Sequence, residues 1–186
     1  MIKVDEQPSN RICQGDIYRD IEHIEHADEI QGIVDVSKIV FPLIIVLSQD
    51  CDLSEDDIFR YNEPKPQTQD KYLLSVLVAP LYNVEHFYMG EHLSELGLVM
   101  QPFEKRPDKN DNKHLRQNKN PRYHYLEFSD GIPIVPSVID FKHYFSVDVL
   151  YLKGLNPGNL VCKVSALYRE DISQRFSSFL SRIGLP

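Results

Sequence analysis

Phe41-Pro42-Leu43-Ile44-Ile45-Val46-Leu47-Ser48-Gln49-Asp50-Cys51-Asp52-Leu53 passes from an apolar half to a polar half without a break. The run Leu43 to Leu47 is β-branched and too short for a helix, so it predicts a strand. Its apolarity is continuous rather than alternating, which predicts cover on both faces, as in a barrel or a central sheet. Pro42 suits the strand entrance, where a missing N–H costs least. Ser48, Asp50, Cys51 and Asp52 then fall just past the strand end, on a rim. Two carboxylates flanking Cys51 oppose thiolate formation, the reverse of what a reactive cysteine needs. The Asp pair suits either a divalent cation or, with Ser48-Gln49, a capped turn.

Upstream, Met1 to Asn10 is polar and predicts a loosely held lead-in. Gly15-Asp16-Ile17-Tyr18 opens a strand, with Gly15 allowing a sharp turn into it. Arg19 to Gln31 is charged and reads as an exposed hairpin or loop. His23 and His26 are spaced as helical metal ligands, but no third His or fitting Cys completes a site. Ile33 to Val40 predicts another strand. Downstream, Leu53 to Gln69 is acidic, then Pro-rich, and predicts a surface loop with at most one helical turn after Ser54. Lys71 to Leu81 is the strongest strand signal, ended by Pro80. Val84 to Leu96 predicts an amphipathic helix stopped by Gly97. Further strands are predicted over residues 134–140 and 147–152, with Asp140, Lys142 and Tyr144 on one face of an extended segment. Ile172, Phe176, Phe179, Leu180 and Ile183 recur at helical spacing, so a helix is predicted over 171–183, stopped by Gly184.

The 186 residues, 42% hydrophobic, fit one domain. No apolar run is long enough to span a bilayer, and residues 1–6 lack a signal-peptide core, which predicts a cytoplasmic protein with no membrane partner. The isolated Cys13, Cys51 and Cys162 exclude a disulfide framework and a structural zinc site, and no cofactor is implied. The net charge of −8 is uneven: Gln101 to Arg122 holds Lys105, Arg106, Lys109, Lys113, Arg116, Lys119 and Arg122 against Glu104, Asp108 and Asp111. This basic loop insertion either contacts phosphates or is a solvated excursion.

Gly15-Asp16-Ile17-Tyr18, the Phe41-Pro42 to Ser48 strand and the Lys71-Tyr72 to Ala79-Pro80 strand stand in an order that resembles the MazF/PemK family of toxin endoribonucleases. Ile134-Val135-Pro136-Ser137-Val138-Ile139-Asp140 is similar to that family's Pro-Ser-Val strand. Val147 to Leu152 and a terminal helix follow in the expected order. The resemblance implies an SH3-like, strongly curved β-barrel with helical additions, a homodimer, an antitoxin-like protein partner and cleavage of single-stranded RNA. The family's catalytic pair is an Arg before the strand's Pro and a Thr or Ser on the later strand. Ser75 matches the second position. Phe41 stands at the first and cannot stabilise charge on a phosphate, a loss of about 100-fold or more in rate. Arg116 or Arg122 from the basic loop is the candidate replacement.

Lys113-His114-Leu115-Arg116-Gln117-Asn118-Lys119-Asn120-Pro121-Arg122-Tyr123-His124-Tyr125 interleaves basic, amide and aromatic side chains, a combination that binds single-stranded RNA. Lys113, His114, Arg116, Lys119, Arg122 and Tyr123 are the candidate contacts, and His114 or His124 the candidate acid–base groups. Against this, Tyr123 and Tyr125 equally begin a strand with both rings inward. Two functions are therefore expected: an RNA-binding protein with a degenerate endoribonuclease pair, or a non-catalytic interaction module of a toxin–antitoxin or defence-type system.

Overall fold

In the computed structural model, which describes residues 1–5, 9–103 and 111–182, the run Leu43 to Val46 is the inner end of a much longer strand. β1 (Asp16–Ile30) and β2 (Ile33–Val46) form one antiparallel hairpin, so the two strands expected at 33–40 and 43–48 are continuous. Pro42 therefore sits inside a strand, on an edge where no N–H is needed. Inner residues are covered on both faces: Ile45 packs with Ile17 in one core, Ile44 and Val46 with Tyr18 in another. Beyond Ile21, which is still buried in the second core, the hairpin projects as an exposed arm, roughly 30 Å long at a strand's rise per residue.

β3 (Ser75–Asn83) runs antiparallel to β2 only from Val78 to Pro80. Its first half pairs with β6 (Phe145–Asp148) and its last three residues with β5 (Ser137–Asp140). Phe141 to His143 form a 3₁₀ turn between those strands, replacing the extended segment expected there. β4 (Tyr123–Leu126) extends the sheet beside β5, and β7 (Leu160–Lys163) pairs with β1. The fold is thus mainly β: a seven-stranded antiparallel sheet ordered β4-β5-β3-β2-β1-β7, with β6 also on β3. Among the described residues β4 and β7 are not paired, so the sheet is not the closed barrel that was expected.

Five helices surround it among the described residues. α1 (Asp50–Tyr61) replaces the expected surface loop. Its first turn carries Asp50 and Asp52 where the helix dipole favours anions, and buried Asp56 accepts from Arg60 and from the Leu73 N–H at 2.7 Å. α2 (Val84–Met89) ends early at Gly90, whose positive φ of 76° no bulkier residue adopts easily. A Cβ there would also collide with the Met100 carbonyl. Gly97 instead closes a separate 3₁₀ turn, Ser94–Leu96. α3 (Asp111–Arg116) lies within the expected loop insertion; residues 104–110, with Glu104, Lys105, Arg106, Asp108 and Lys109, lie outside the described residues. α4 (Val149–Leu155) takes over the strand expected over 147–152 after Asp148, because the Asp148 side chain accepts from Tyr151 N–H at 2.8 Å and starts a helix. α5 (Ala166–Leu180) buries Ile172 and Phe176, whereas Leu180 stays exposed and Ile183 and Gly184 fall outside the description.

The N-terminal residues are tied down rather than loose. Ile2 bridges to Phe128 and Val4 to Val164, and Ile2 is buried. Three cores result. One lies between the sheet and α5, one under α1 and α4, and a third joins α2 and α3 to Tyr82 and Tyr125. Among the described residues no helix is long and apolar enough to cross a membrane.

Candidate functional site

The residues expected to act together lie apart along β3. Ser75 begins that strand, exposed, opposite Asp148. Arg122 is bound to Asp140, which falls level with Pro80, one step beyond the Leu81–Ile139 pair. Five steps of strand separate Ser75 from Pro80, roughly 17 Å along β3. Arg116, on α3, is on the Arg122 side of the molecule, its guanidinium over the Tyr125 ring at 5.8 Å. Ser75, Arg116 and Arg122 therefore do not form one catalytic site. Phe41 is stacked on Phe145 at 4.8 Å, with His23 at 4.7 Å from Phe145.

Of the rim residues, Ser48 and Asp50 are structural. Ser48 Oγ accepts the Leu77 N–H at 2.8 Å. Asp50 takes two hydrogen bonds from Arg11 and one from the Gln14 N–H, with Arg169 at 3.5 Å. Burial works to raise its pKa, but these donors prevail and hold it below the ordinary carboxylate value. A carboxylate clamped by two guanidiniums is not a cation ligand. Asp52 and Cys51 are exposed on the first turn of α1. His26 pairs with Asp28 at 2.6 Å, and His23 is committed to the aromatic stack.

The basic segment is better ordered than a solvated loop. Leu115 is buried in the third core and anchors α3, leaving Lys113, His114, Arg116 and Lys119 exposed. Three ties then fix the turn into β4. The Asn118 side chain brackets Tyr125, accepting its N–H at 2.6 Å and donating to its carbonyl at 3.4 Å. Arg175 of α5 donates to the Asn120 and Tyr123 carbonyls at 2.7 and 2.9 Å. Arg122 forks onto buried Asp140, which also accepts the Lys142 N–H at 3.0 Å.

Beside this turn opens a cavity of about 400 Å³, lined by Phe87, Phe103 and Tyr123 on one side and His92, Asn120 and Arg122 on the other. The three aromatic rings lie with centroids 5.0 to 5.5 Å apart. Asp140 also lines the cavity, and a polar chain runs on from there: His143 Nε2 faces Asp140 at 3.6 Å, and the Tyr82 hydroxyl lies 3.0 Å from His143 Nδ1. Tyr82 donating to Nδ1 leaves the proton on Nε2, facing the carboxylate. Neither ring nitrogen of His92 has a partner among the described residues. Burial, then the nearby His143, holds its pKa down at about 4, so the imidazole is neutral at physiological pH.

Sequence reasoning therefore found Arg122 and Tyr123 of the cavity and missed His92, His143, Tyr82 and Asp140 as a group. His92 stands in an acidic, helix-like stretch with no motif around it. His124, expected as an acid–base group, is buried behind the sheet, and burial with Arg175 pushes its pKa down to about 3. His114 is exposed on α3, away from any partner that would activate it among the described residues. A comparison with protein-family models and with curated proteins finds no match to this chain.

Proposed function

We propose that this chain is a MazF/PemK-like RNA-binding protein, with an SH3-like curved sheet left open, that holds single-stranded RNA on the α3–β4 side. One observation carries the reading: a turn pinned by Asn118, Arg175 and Asp140 presents Lys113, Arg116 and Lys119 next to a cavity walled by Phe87, Phe103 and Tyr123. Exposed cations contact phosphates, and an aromatic cavity of about 400 Å³ has room for an unstacked base. Ordering in advance matters because a mobile loop would lose entropy on binding. Cleavage is not part of this reading. Ser75 lies away from Arg122, which is committed to Asp140, and Phe41 is stacked on Phe145.

The test is fluorescence anisotropy on a labelled mixed-sequence single-stranded RNA across a salt series. Binding should weaken as salt rises, with a log–log slope of about −0.7 per phosphate contacted. Lys113→Ala/Arg116→Ala/Lys119→Ala should flatten that slope by up to about 2 and weaken all sequences alike. Arg122 is kept, because its removal strands the buried Asp140 charge. RNA that binds equally well to the triple variant, or not at all at low salt, sinks the reading. Two-fold pairing and an antitoxin-like partner belong to the same proposal; a monomer in sedimentation at micromolar concentration removes the first.

A further inference from the structure

Two prolines set the place where the sheet splits. Pro42 in β2 and Pro80 in β3 lack an N–H, and the β2–β3 ladder covers only Ile44–Val46 against Val78–Pro80. Past that point β3 turns away to pair with β5, while β2 continues bonded to β1 alone. A groove of about 370 Å³ opens between them, walled by Phe41 and Leu43, by Leu81 and Tyr82, and by Leu93 and Leu96.

The edge of β2 outward of Pro42 meets this groove at Ile39, Val40 and Phe41. The outer edge of β1 is broken by the bulge at Glu25 and by the positive φ of Asp20. Ile33 to Phe41 of β2 carries neither a bulge nor a proline. Natural edges are blunted by such devices because free backbone N–H and C=O groups recruit another strand. A lone two-stranded hairpin is also marginal in water, yet this one exposes Ile24, Ile30, Ile33, Val34, Val36 and Val40.

Charge selects the occupant. Between Arg19 and Phe41 the arm carries Asp20, Glu22, Glu25, Asp28, Glu29 and Asp35 against Arg19 and Lys38, and Lys38 is 2.6 Å from Glu22. Glu91 and Glu95 line the opposite wall of the groove. A second copy offering the same arm would set like charges against each other, and RNA phosphates would be repelled for the same reason.

We propose that the groove is a strand-addition site for an extended, cationic segment of a partner protein. The segment pairs its backbone with the free edge of β2 from Val36 to Phe41. Alternate apolar side chains enter the groove, and Lys or Arg side chains between them face Glu91, Glu95 and the arm. This inference is independent of RNA binding, which uses the α3–β4 side.

The probe is a fluorescein-labelled decapeptide of alternating Lys and Val, compared with its Glu-for-Lys counterpart and with a version N-methylated at alternate amides. Anisotropy on the full chain should give a micromolar Kd for the Lys peptide and at least about tenfold weaker binding for the other two. Glu91→Lys/Glu95→Lys should weaken the Lys peptide about tenfold or more while leaving the melting temperature in place. Lys113→Ala/Arg116→Ala/Lys119→Ala should leave it unchanged. Hydrogen exchange should slow at residues 36–41 when the peptide is bound. Equal binding of the Lys and Glu peptides, no loss on N-methylation, or indifference to Glu91→Lys/Glu95→Lys overturns the proposal. So does self-association of the chain that shuts the peptide out.

Discussion

Replacing Asp16 by Asn should remove a pH dependence of folding that the wild-type chain carries between pH 5 and 8. Asp16 is 1% exposed, and only one of its carboxylate oxygens is engaged, by the Cys13 N–H at 2.7 Å and, more loosely, by the Tyr18 hydroxyl. Its other oxygen has no partner among the described residues. Burial raises the pKa to about 7 from an ordinary 3.8, against the opposing pull of the Cys13 N–H, Lys163 and Arg11. A carboxyl with a raised folded pKa is most stabilising when protonated, below its unfolded pKa. That contribution is lost as pH rises through the folded pKa. At 1.36 kcal/mol per pKa unit the full difference is about 4 kcal/mol, of which about 2.5 kcal/mol falls between pH 5 and 8. Asn keeps the acceptor for Cys13 and cannot ionise. Urea unfolding of both proteins at pH 5, 6, 7 and 8, followed by circular dichroism, gives the difference directly, because every other titrating group is common to both. Asp16→Asn should gain about 2.5 kcal/mol on wild type over that range. A difference that stays flat within about 0.5 kcal/mol shows that Asp16 is ionised in the fold at low cost, and the reasoning fails.

The paired charges lining the cavity should behave asymmetrically: Arg122→Ala strands buried Asp140 and should cost about 3–5 kcal/mol, whereas Arg122→Ala/Asp140→Asn should recover much of it; equal unfolding midpoints for the two variants contradict the burial argument. Phe41→Arg should not produce cleavage of a labelled RNA on a gel, because Arg122 lies away from Ser75, and it should lower the melting temperature through loss of the Phe145 stack; turnover that depends on Ser75 refutes this. Acidification should act against Asp16. His92 and His124 are held neutral, at about 4 and about 3, so their contribution is full above the ordinary 6.5 and is lost as pH falls toward those values. In an Asp16→Asn background stability should therefore decline from pH 6.5 to 4, each proton taken up on unfolding adding about 1.36 kcal/mol per pH unit; a level profile rejects it.

Where side chains alone dictate backbone shape, the sequence was readable. The apolar run Leu43 to Leu47 announced a strand covered on both faces, and Ile172 with Phe176 announced the packed face of α5. Tertiary contacts decided the places where local reading failed. Residues 50–61 look like an acidic loop until Arg11 clamps Asp50 and Arg60 joins Asp56 beneath the Leu73 N–H. Val147 and Asp148 are strand as expected, yet one cap bond from Asp148 turns Val149 to Leu152 into a helix. Arg122 was found as a cation and misread as free, because its partner Asp140 lies 18 positions away. His92 carried no local signal at all, since its neutral state comes from burial against Tyr82 and Phe87, contacts that no spacing rule anticipates.

β3 has a further consequence for how the molecule comes apart. Its residues alternate between cores: Val76 and Val78 belong to the one under α1 and α4, Ala79 and Leu81 to the one under α5, and Tyr82 to the third. No core can open without exposing a face of this strand to water. The three cores thus share a single party wall, and the body loses its structure as one cooperative unit. The arm, which borders none of them beyond Phe41, can fray and re-form while the wall stands.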